Sequence, residues 1–420
     1  MIVGIIGSGG REHAICAKIR ESVGISKIFC IPGNAGTSSI AENINIKIND
    51  FKSIKDFCIK NHIELLIVGP EQPLVNGIVD YFLDTKIRVF GPNKLASQLE
   101  GSKIFTKKIC AEYKIPTANF KICENLDDTK KFLNNSKYPL VIKADGLAAG
   151  KGVYICKNYN DGLIAATEVF DGKFGSAKNL LIEDFLEGEE MSYFVVSDGE
   201  KYKFIGTAQD HKRVGEGDKG KNTGGMGCYS PSRLFSPRLA KKINSRIINP
   251  TLKAIKDLGT TYKGFLYVGL MIKDNDPYLV EFNVRMGDPE CQTILPLLKT
   301  DLIEIFINCC LGKLNEKEIE LKNEKSICIV LCSKGYPEEY KKNILIKRLD
   351  NLFLKEKEYV FHAGTKLENK KILSSGGRVL NFVSISKDIK KSREDLIRLI
   401  NDLGWENGFF RKDIGYKVID

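Results

Sequence analysis

The chain has 420 residues, 43% hydrophobic and 28% charged, which at ~150 residues per domain is roughly three domains with enough apolar surface for real cores. Lys+Arg 64 against Asp+Glu 53 leaves +11, spread in patches such as KKFLNNSK and KKNILIK; a nucleic-acid binder concentrates its charge, and polyanionic small molecules suit this balance at least as well. No stretch approaches the ~18 uninterrupted apolar residues of a membrane span, the start MIVGIIGSGGREH has no signal-peptide pattern, and twelve cysteines without a CxxC pair beside four histidines read as reduced, buried thiols of a cytoplasmic protein instead of zinc ligands.

In chain order, Ile2–Ile6 is a short apolar run ending in glycines, Arg11–Ile19 a helix and Lys27–Ile31 a buried strand. Ile44, Ile46 and Ile48 alternate with polar residues as in a half-exposed strand, and Asp50 can cap a helix over Phe51–Asn61. Ile63–Val68 and Arg88–Phe90 are further strands. Strand, helix, strand in this order predicts a doubly wound parallel sheet, α/β in class, with ligands at the carboxyl ends of its strands. A second block, Ser102 to about Cys310, mixes β-rich segments with glycine-dense loops. A third begins near Glu324, with β signals at Ile327–Cys332, Tyr359–Phe361 and Arg378–Phe382. Its amphipathic helix carries Leu396, Leu399, Ile400 and Leu403, with Ser392 and Asp395 as a capping pair and Gly404 as its stop. The expected units are 1–101, a substrate domain; 102–323, with a lid at about 120–190; and 324–420, small and β-rich.

Gly7-x-Gly9 between a strand and a helix begins a dinucleotide fingerprint, yet Glu12 stands where the third glycine belongs. The second strand also lacks its terminal acidic residue, so a nicotinamide cofactor is disfavoured. A phosphate held by backbone N–H groups and a plain tight turn both remain open. Lys143-Ala-Asp-Gly-Leu-Ala-Ala-Gly-Lys151-Gly152 fails the P-loop spacing, with three residues between Gly146 and Gly150 and no Ser or Thr after Lys151. Between strands Leu140–Lys143 and Val153–Cys156 it reads as a small cationic lid able to close over polyphosphate.

Ile182–Glu190 is a strand entering an acidic turn, where groups beside Phe185 could read an adenine edge or simply face solvent. In Tyr278–Arg285 an extended strand puts Glu281, Asn283 and Arg285 on one face and Val280, Phe282 and Val284 in a core. Two hard oxygen ligands suit Mg²⁺ completed by phosphate and water, and Arg285 can clamp phosphate. Asp288-Pro289 resembles an N-cap with Pro at the first helical position. Gln209-Asp-His-Lys-Arg213 and Asn222-Thr-Gly-Gly-Met-Gly227 are each as compatible with a loop as with a site; His211 is read as a positioning or salt-bridging residue rather than a general base.

The series GSGGREHA, PGNAGT, VGPEQPLVNGIVD, QLEGSKIFTK, KADGLAAGKGV, IEDFLEGEE, QDHKR, NTGGMG, EFNVRMGDPECQ, FHAGT, GGRVL and RKDIGY resembles the motifs of the glycinamide ribonucleotide synthetases, phosphoribosylamine–glycine ligases of the ATP-grasp superfamily, from Gly4 to about Tyr416. The resemblance implies a central ATP-grasp fold and a reaction in which ATP activates glycine as an acyl phosphate for attack by 5-phosphoribosylamine, with Mg²⁺ or Mn²⁺. It assigns Lys103, Lys143, Lys151, Glu183, Phe185 and Glu190 to ATP, Glu281 and Asn283 to the metal, and Lys151 and Arg285 to catalysis. Gly9, Gly10, Asn34, Glu71, Asp210, Lys212, Asn222, Thr223, Gly224, Gly225 and Arg285 are assigned to substrate. Val284, Met286 and Cys291 depart from the common family residues, but no charged or liganding position is lost. A monomer or weak dimer without nucleic acid or membrane is expected, and no second enzyme is expected after RKDIGY. A sister ATP-grasp carboxylase would share the lid and the EFN strand, but not QDHKR with NTGGMG.

Overall fold

Five short segments, β1 (Ile2–Gly7), β2 (Lys27–Pro32), β3 (Glu42–Asn43), β4 (Leu65–Val68) and β5 (Arg88–Phe90), form a parallel sheet in the order β3–β2–β1–β4–β5. Such strands are buried on both faces, so they read as near-continuous apolar runs. The computed structural model describes residues 1–147, 152–175, 179–316 and 318–419. The helix Gly10–Ile19 is buried along nearly its whole length, because later parts of the chain cover the side that its own sheet does not: His13 packs edge-on to Phe361.

A second, antiparallel sheet runs β6 (Phe120–Cys123), β9 (Leu180–Asp184), β7 (Leu140–Ala144), β8 (Val153–Cys156). Two helices, Leu126–Asn134 and Tyr159–Phe170, start at Asn125 and Asn158, whose side chains accept from the N–H groups of Asp128 and Asp161. They cover that sheet with a separate apolar core that includes Leu133, Ile142, Val169 and Ile182. The glycine- and lysine-rich loop therefore connects two paired strands, Lys143 opposite Val153, as its flanking residues predict.

The largest sheet has nine strands. It is built from β10 (Glu189–Asp198), β11 (Tyr202–Asp210), β14 (Gly227–Ser230), β15 (Lys263–Lys273) and β16 (Asp276–Asn283), with the short hairpin β12 (Arg213–Gly215) and β13 (Lys219–Asn222) standing outside it. The later strands β17 (Lys325–Ser333), β18 (Glu358–His362), β21 (Arg378–Ser386) and β22 (Gly408–Phe409) continue the same sheet, while β19 (Thr365–Glu368) and β20 (Lys371–Ser374) pair apart. The order β16–β15–β10–β11–β14–β17–β21–β18 means that the β14–β17 ladder, Gly227 opposite Ile329, joins the C-terminal strands to the central ones. All twelve cysteines are free thiols, and among the described residues no helix is long and apolar enough to cross a membrane.

Four local expectations need correction. Ile44, Ile46 and Ile48 do pack against the core, but β3 ends at Asn43. The Ile46 N–H turns back to the Ile44 carbonyl instead of joining a ladder, so the side-chain alternation persists without strand pairing. The helix Ile389–Leu403 starts earlier than Ser392: Asp388 caps it through the Lys391 N–H at 3.1 Å, and Ser392 is buried inside, bonded to Ser386 Oγ. It stops at Gly404, φ +59°, as expected. The helix after Asp288-Pro289 begins at Glu290 with Pro289 as the flanking residue; the Asp288 carboxylate serves side chains instead, taking Gln292 Nε2 at 2.9 Å. Finally, β16 carries a bulge: Gly269 faces Glu281 and Leu270 faces Leu279, which leaves Val280 unpaired and half-buried rather than in the core.

Candidate active site

The bulge aims the end of β16 at the hinge of the lid. Lys143, at the end of β7, lies 2.9 Å from Glu183 and 3.4 Å from the Val280 carbonyl that the bulge exposes. Lys107 approaches Glu183 from the other side at 3.4 Å, and all three side chains are buried. Glu183 is therefore the counter-ion that fixes two lysines, a role different from the ATP contact expected of it. Lys103 donates to the Gly146 carbonyl at 2.8 Å, while Ser102 Oγ donates to Asp145 at 3.0 Å, so one helix start holds the root of the lid. Burial pulls the Lys103 pKa down, opposed by Glu281. Lys151 lies outside the described residues.

A cleft opens beside these lysines, lined by Glu190, Ser192, Asp210, Lys212, Tyr267 and Glu281 among others. Glu190 and Lys212 meet at 2.7 Å. Lys212 holds the Glu190 carboxyl below its usual range against burial. For Lys212, burial works against the charge, yet Glu190, Tyr267, Glu281 and Asp210 keep it protonated. Burial first, then Glu290, pushes the Asp210 carboxyl well above the ordinary range, and its Oδ1 has no partner among the described residues. The Glu281 carboxylate lines this cleft and takes no hydrogen bond or ion pair among the described residues. With Asn283 two residues on, it offers a pair of hard oxygen donors. That donor set fits a Mg²⁺ ion, which commonly takes one or two protein oxygens and leaves its other positions to phosphate and water. Phe185, in the turn between β9 and β10, is 39% exposed, an aromatic face open to a ligand.

Arg285 lies beyond the end of the strand and is not a free phosphate clamp. Its Nε donates to Glu71 at 3.1 Å and its Nη2 to Glu100 at 2.6 Å. Burial opposes ionisation of Glu71, but Arg285 and then Arg11 hold its pKa at about 2. Burial dominates at Glu100 and raises it to about 7.

The first glycine turn is closed by its own helix. Glu12 turns back so that Oε2 accepts from the Gly9 N–H at 2.6 Å, and a Cβ on Gly7 or Gly69 would collide with its carboxyl. The residue that breaks the dinucleotide fingerprint thus occupies the Gly9 N–H and fills the turn itself. Asn34 is equally committed. Its Nδ2 donates to the Ser8 and His362 carbonyls at 2.9 and 2.8 Å, and its Oδ1 accepts from the Gly36 and Thr37 N–H groups. It shapes the turn and ties β2 to β18. Gly10 packs directly under the side-chain amides of Gln292 and Asn381.

The Asn222–Gly227 loop joins this region to the cleft. Thr223 Oγ1 donates to the Lys212 carbonyl at 2.9 Å, and the Gly224 N–H donates to Tyr336 Oη at 2.9 Å. Arg378 donates to the carbonyls of Gly224 and Asp288 and faces the Asp288 carboxylate at 3.4 Å. Asn222 closes β13, opposite Arg213. His211 accepts at Nε2 from the Gly415 N–H and lies 3.3 Å from the Gly227 carbonyl through Nδ1; burial lowers its pKa to about 4. Both nitrogens are occupied, so it positions the loop, as expected.

Residues 1–100 match the phosphoribosylglycinamide synthetase N domain, 101–291 the ATP-grasp (A) domain of that synthetase, and 326–417 its C domain. The chain belongs to the phosphoribosylglycinamide synthetase family. It is 44% identical to the phosphoribosylamine–glycine ligase of Caldanaerobacter subterraneus subsp. tengcongensis, with 99% of each covered. Against that of Brucella melitensis biotype 1 it is 40% identical, covering 100% of this chain and 99% of the relative. Among solved structures, the Thermotoga maritima phosphoribosylamine–glycine ligase aligns at TM-score 0.85 and 31% identity, over 99% of this chain and 100% of that one. The biotin carboxylase domain of Hydrogenobacter thermophilus 2-oxoglutarate carboxylase shares the fold alone, at TM-score 0.73 and 17% identity, over 96% and 94%.

In this synthetase-family chain, the structure brings Glu190, Asp210, Lys212 and Glu281, which the sequence assigned separately to nucleotide, substrate and metal, into one cleft. Sequence reasoning passed over Glu100, Arg378 and Tyr336, and read Glu12 only as a missing glycine. The first two sit inside motifs that were read, QLEGSK and GGRVL, but a charge in a motif names no partner until the chain is folded.

Proposed function

We propose that this chain joins glycine to 5-phosphoribosylamine with ATP, giving glycinamide ribonucleotide, ADP and phosphate in de novo purine biosynthesis, through a glycyl phosphate. The observation that carries this reading is the cleft in which Glu281, Lys212, Glu190 and Asp210 converge beside Lys103 and Lys143, in a chain matched nearly end to end by a ligase family.

A carboxylate resists attack by an amine until one of its oxygens becomes a good leaving group. Phosphoryl transfer to that oxygen needs in-line positioning and concentrated positive charge. Lys103 and Lys143 are fixed at the root of the lid, where their ammoniums would meet the triphosphate, and Lys151 would approach from the loop. Phe185 would lie at the adenine and Glu190 at the ribose. Glu281 and Asn283 would hold Mg²⁺ or Mn²⁺, which when bound neutralises phosphate charge. Arg285 contributes a fixed charge, because Glu71 and Glu100 hold its guanidinium. Gly9, Gly10 and Glu71 would form one wall of the phosphoribosylamine site, with Asp210, Lys212 and Asn222 to Gly225 opposite; Asn34 acts there by shaping the turn. We further assign the units 1–101, 102–323 and 324–420, a monomer or weak dimer, and a cytoplasmic place of action.

The test is ADP release from ATP and Mg²⁺ with phosphoribosylamine generated from ribose 5-phosphate and ammonia. Turnover should require both glycine and the amine and disappear in Glu281→Ala. Release indifferent to glycine refutes the assignment, and release driven by bicarbonate marks a carboxylase.

A further inference from the structure

The end of β16 is held by a carboxylate from another part of the chain. Glu100 lies in the short helix Gln98–Gly101, where the first unit passes into the second. Its Oε2 accepts from the Val284 N–H at 2.7 Å and its Oε1 from Arg285 Nη2 at 2.6 Å. The same Oε1 decides how the neighbouring Asn283 amide faces. With Nδ2 turned inward, Asn283 donates to Glu100 Oε1 at 3.1 Å and to the Phe282 carbonyl at 3.0 Å; turned over, its oxygen would face two acceptors and its nitrogen no acceptor. Oε1, already accepting from the Arg285 guanidinium, can only accept here, so it selects one of the two amide orientations. Oδ1 is then the atom turned away from Glu100, on the strand face that also carries Glu281.

We propose that Glu100 is a positioning residue for the divalent-cation site, acting by forcing Asn283 to present oxygen rather than nitrogen beside Glu281. This rests on the reading of Glu281 and Asn283 as metal ligands. Outer partners that orient a ligand are worth ~10–100-fold in metal affinity. A carboxylate that merely bolts the linker helix to the strand would leave affinity unchanged in folded protein.

Glu100→Gln separates the two roles. One glutamine oxygen cannot serve both the Val284 N–H and the Arg285–Asn283 side: set on Val284 it turns its NH₂ against the Asn283 NH₂, which turns over, and set on Arg285 it is a neutral acceptor that holds the amide less firmly. Mn²⁺ binding in the presence of ADP, followed by the electron paramagnetic resonance signal of free Mn²⁺, is the readout, on protein shown to be folded by circular dichroism. Glu100→Gln is expected to weaken Mn²⁺ by ~10-fold or more. In Glu100→Gln/Asn283→Asp the ligand position offers oxygen in either orientation and the glutamine NH₂ has an acceptor, so affinity returns to within ~3-fold of the parent. Parent-like Mn²⁺ affinity in Glu100→Gln, or a double variant no better than the single one, overturns the proposal while leaving the metal reading intact. If Glu100→Gln does not fold, a double variant that folds and binds Mn²⁺ still supports the orienting role, and one that folds without binding refutes it. A parent protein with no Mn²⁺ binding that Glu281→Ala removes overturns the metal reading itself.

Discussion

Glu183→Gln leaves two buried ammoniums facing a neutral amide. In the parent, Glu183 stands 2.9 Å from Lys143 and 3.4 Å from Lys107, with side-chain exposures of 5%, 8% and 4%. Removing one partner of a buried ion pair costs about 3–5 kcal/mol, because the remaining charge stays desolvated. Lys107 keeps only its neutral hydrogen bond to Thr117 Oγ1 at 2.6 Å, which the parent also has and which therefore offsets nothing. The expected loss is therefore about 3–5 kcal/mol, measured by urea unfolding. Adding Lys107→Met removes the surplus ammonium, so the double variant should be more stable than the sum of the singles predicts, with coupling of about 1–3 kcal/mol. ATP brings negative charge to Lys143, so saturating nucleotide should narrow the gap between Glu183→Gln and parent. A Glu183→Gln protein within about 0.5 kcal/mol of the parent, or strictly additive variants, would refute the counter-ion role.

Burial lowers the pKa of His13 to about 3 and of His211 and His362 to about 4, from 6.5. Below pH 6.5 the unfolded chain takes up protons that the fold cannot, so each histidine removes about 1.4 kcal/mol of stability per pH unit as pH falls toward 4. His362→Gln should lessen that slope by the same amount in denaturant titrations between pH 6 and 4.5, and an unchanged slope contradicts the burial argument. Gly10→Ala places a methyl against the amides of Asn381 and Gln292, both fully buried; a loss of about 1–3 kcal/mol in urea is expected, and unaltered stability would show that the contact yields. Phe185→Ala should raise the KM for ATP about 5–150-fold with little change in the KM for glycine, if base stacking on this ring is worth about 1–3 kcal/mol; equal KM values would remove Phe185 from the adenine site.

The parallel sheet, the lid hairpin and the long helix of the C-terminal unit were legible because each depends on near neighbours. Apolar runs between glycines make buried strands, and Asp50 caps its helix through Ser53, three residues away. The ligand candidates at Lys143, Glu190, Lys212 and Glu281 were legible as charges set in glycine-rich or alternating segments, where the core has no use for them. What each charge touches was not. Glu183 lies on an apolar strand and looks like a lid residue, yet Lys107 claims it from 76 positions earlier in the chain. Arg285 shares the strand pattern of Glu281, but the strand stops at Asn283, and carboxylates more than 180 residues earlier in the chain take its guanidinium. The bulge at Val280 depends on how many residues β15 opposes to β16. Local order follows from short-range propensity and periodicity, which a sequence carries in full. The partner of a buried charge is chosen by whichever distant segment the packed sheets bring within hydrogen-bond reach, and only the tertiary structure decides that.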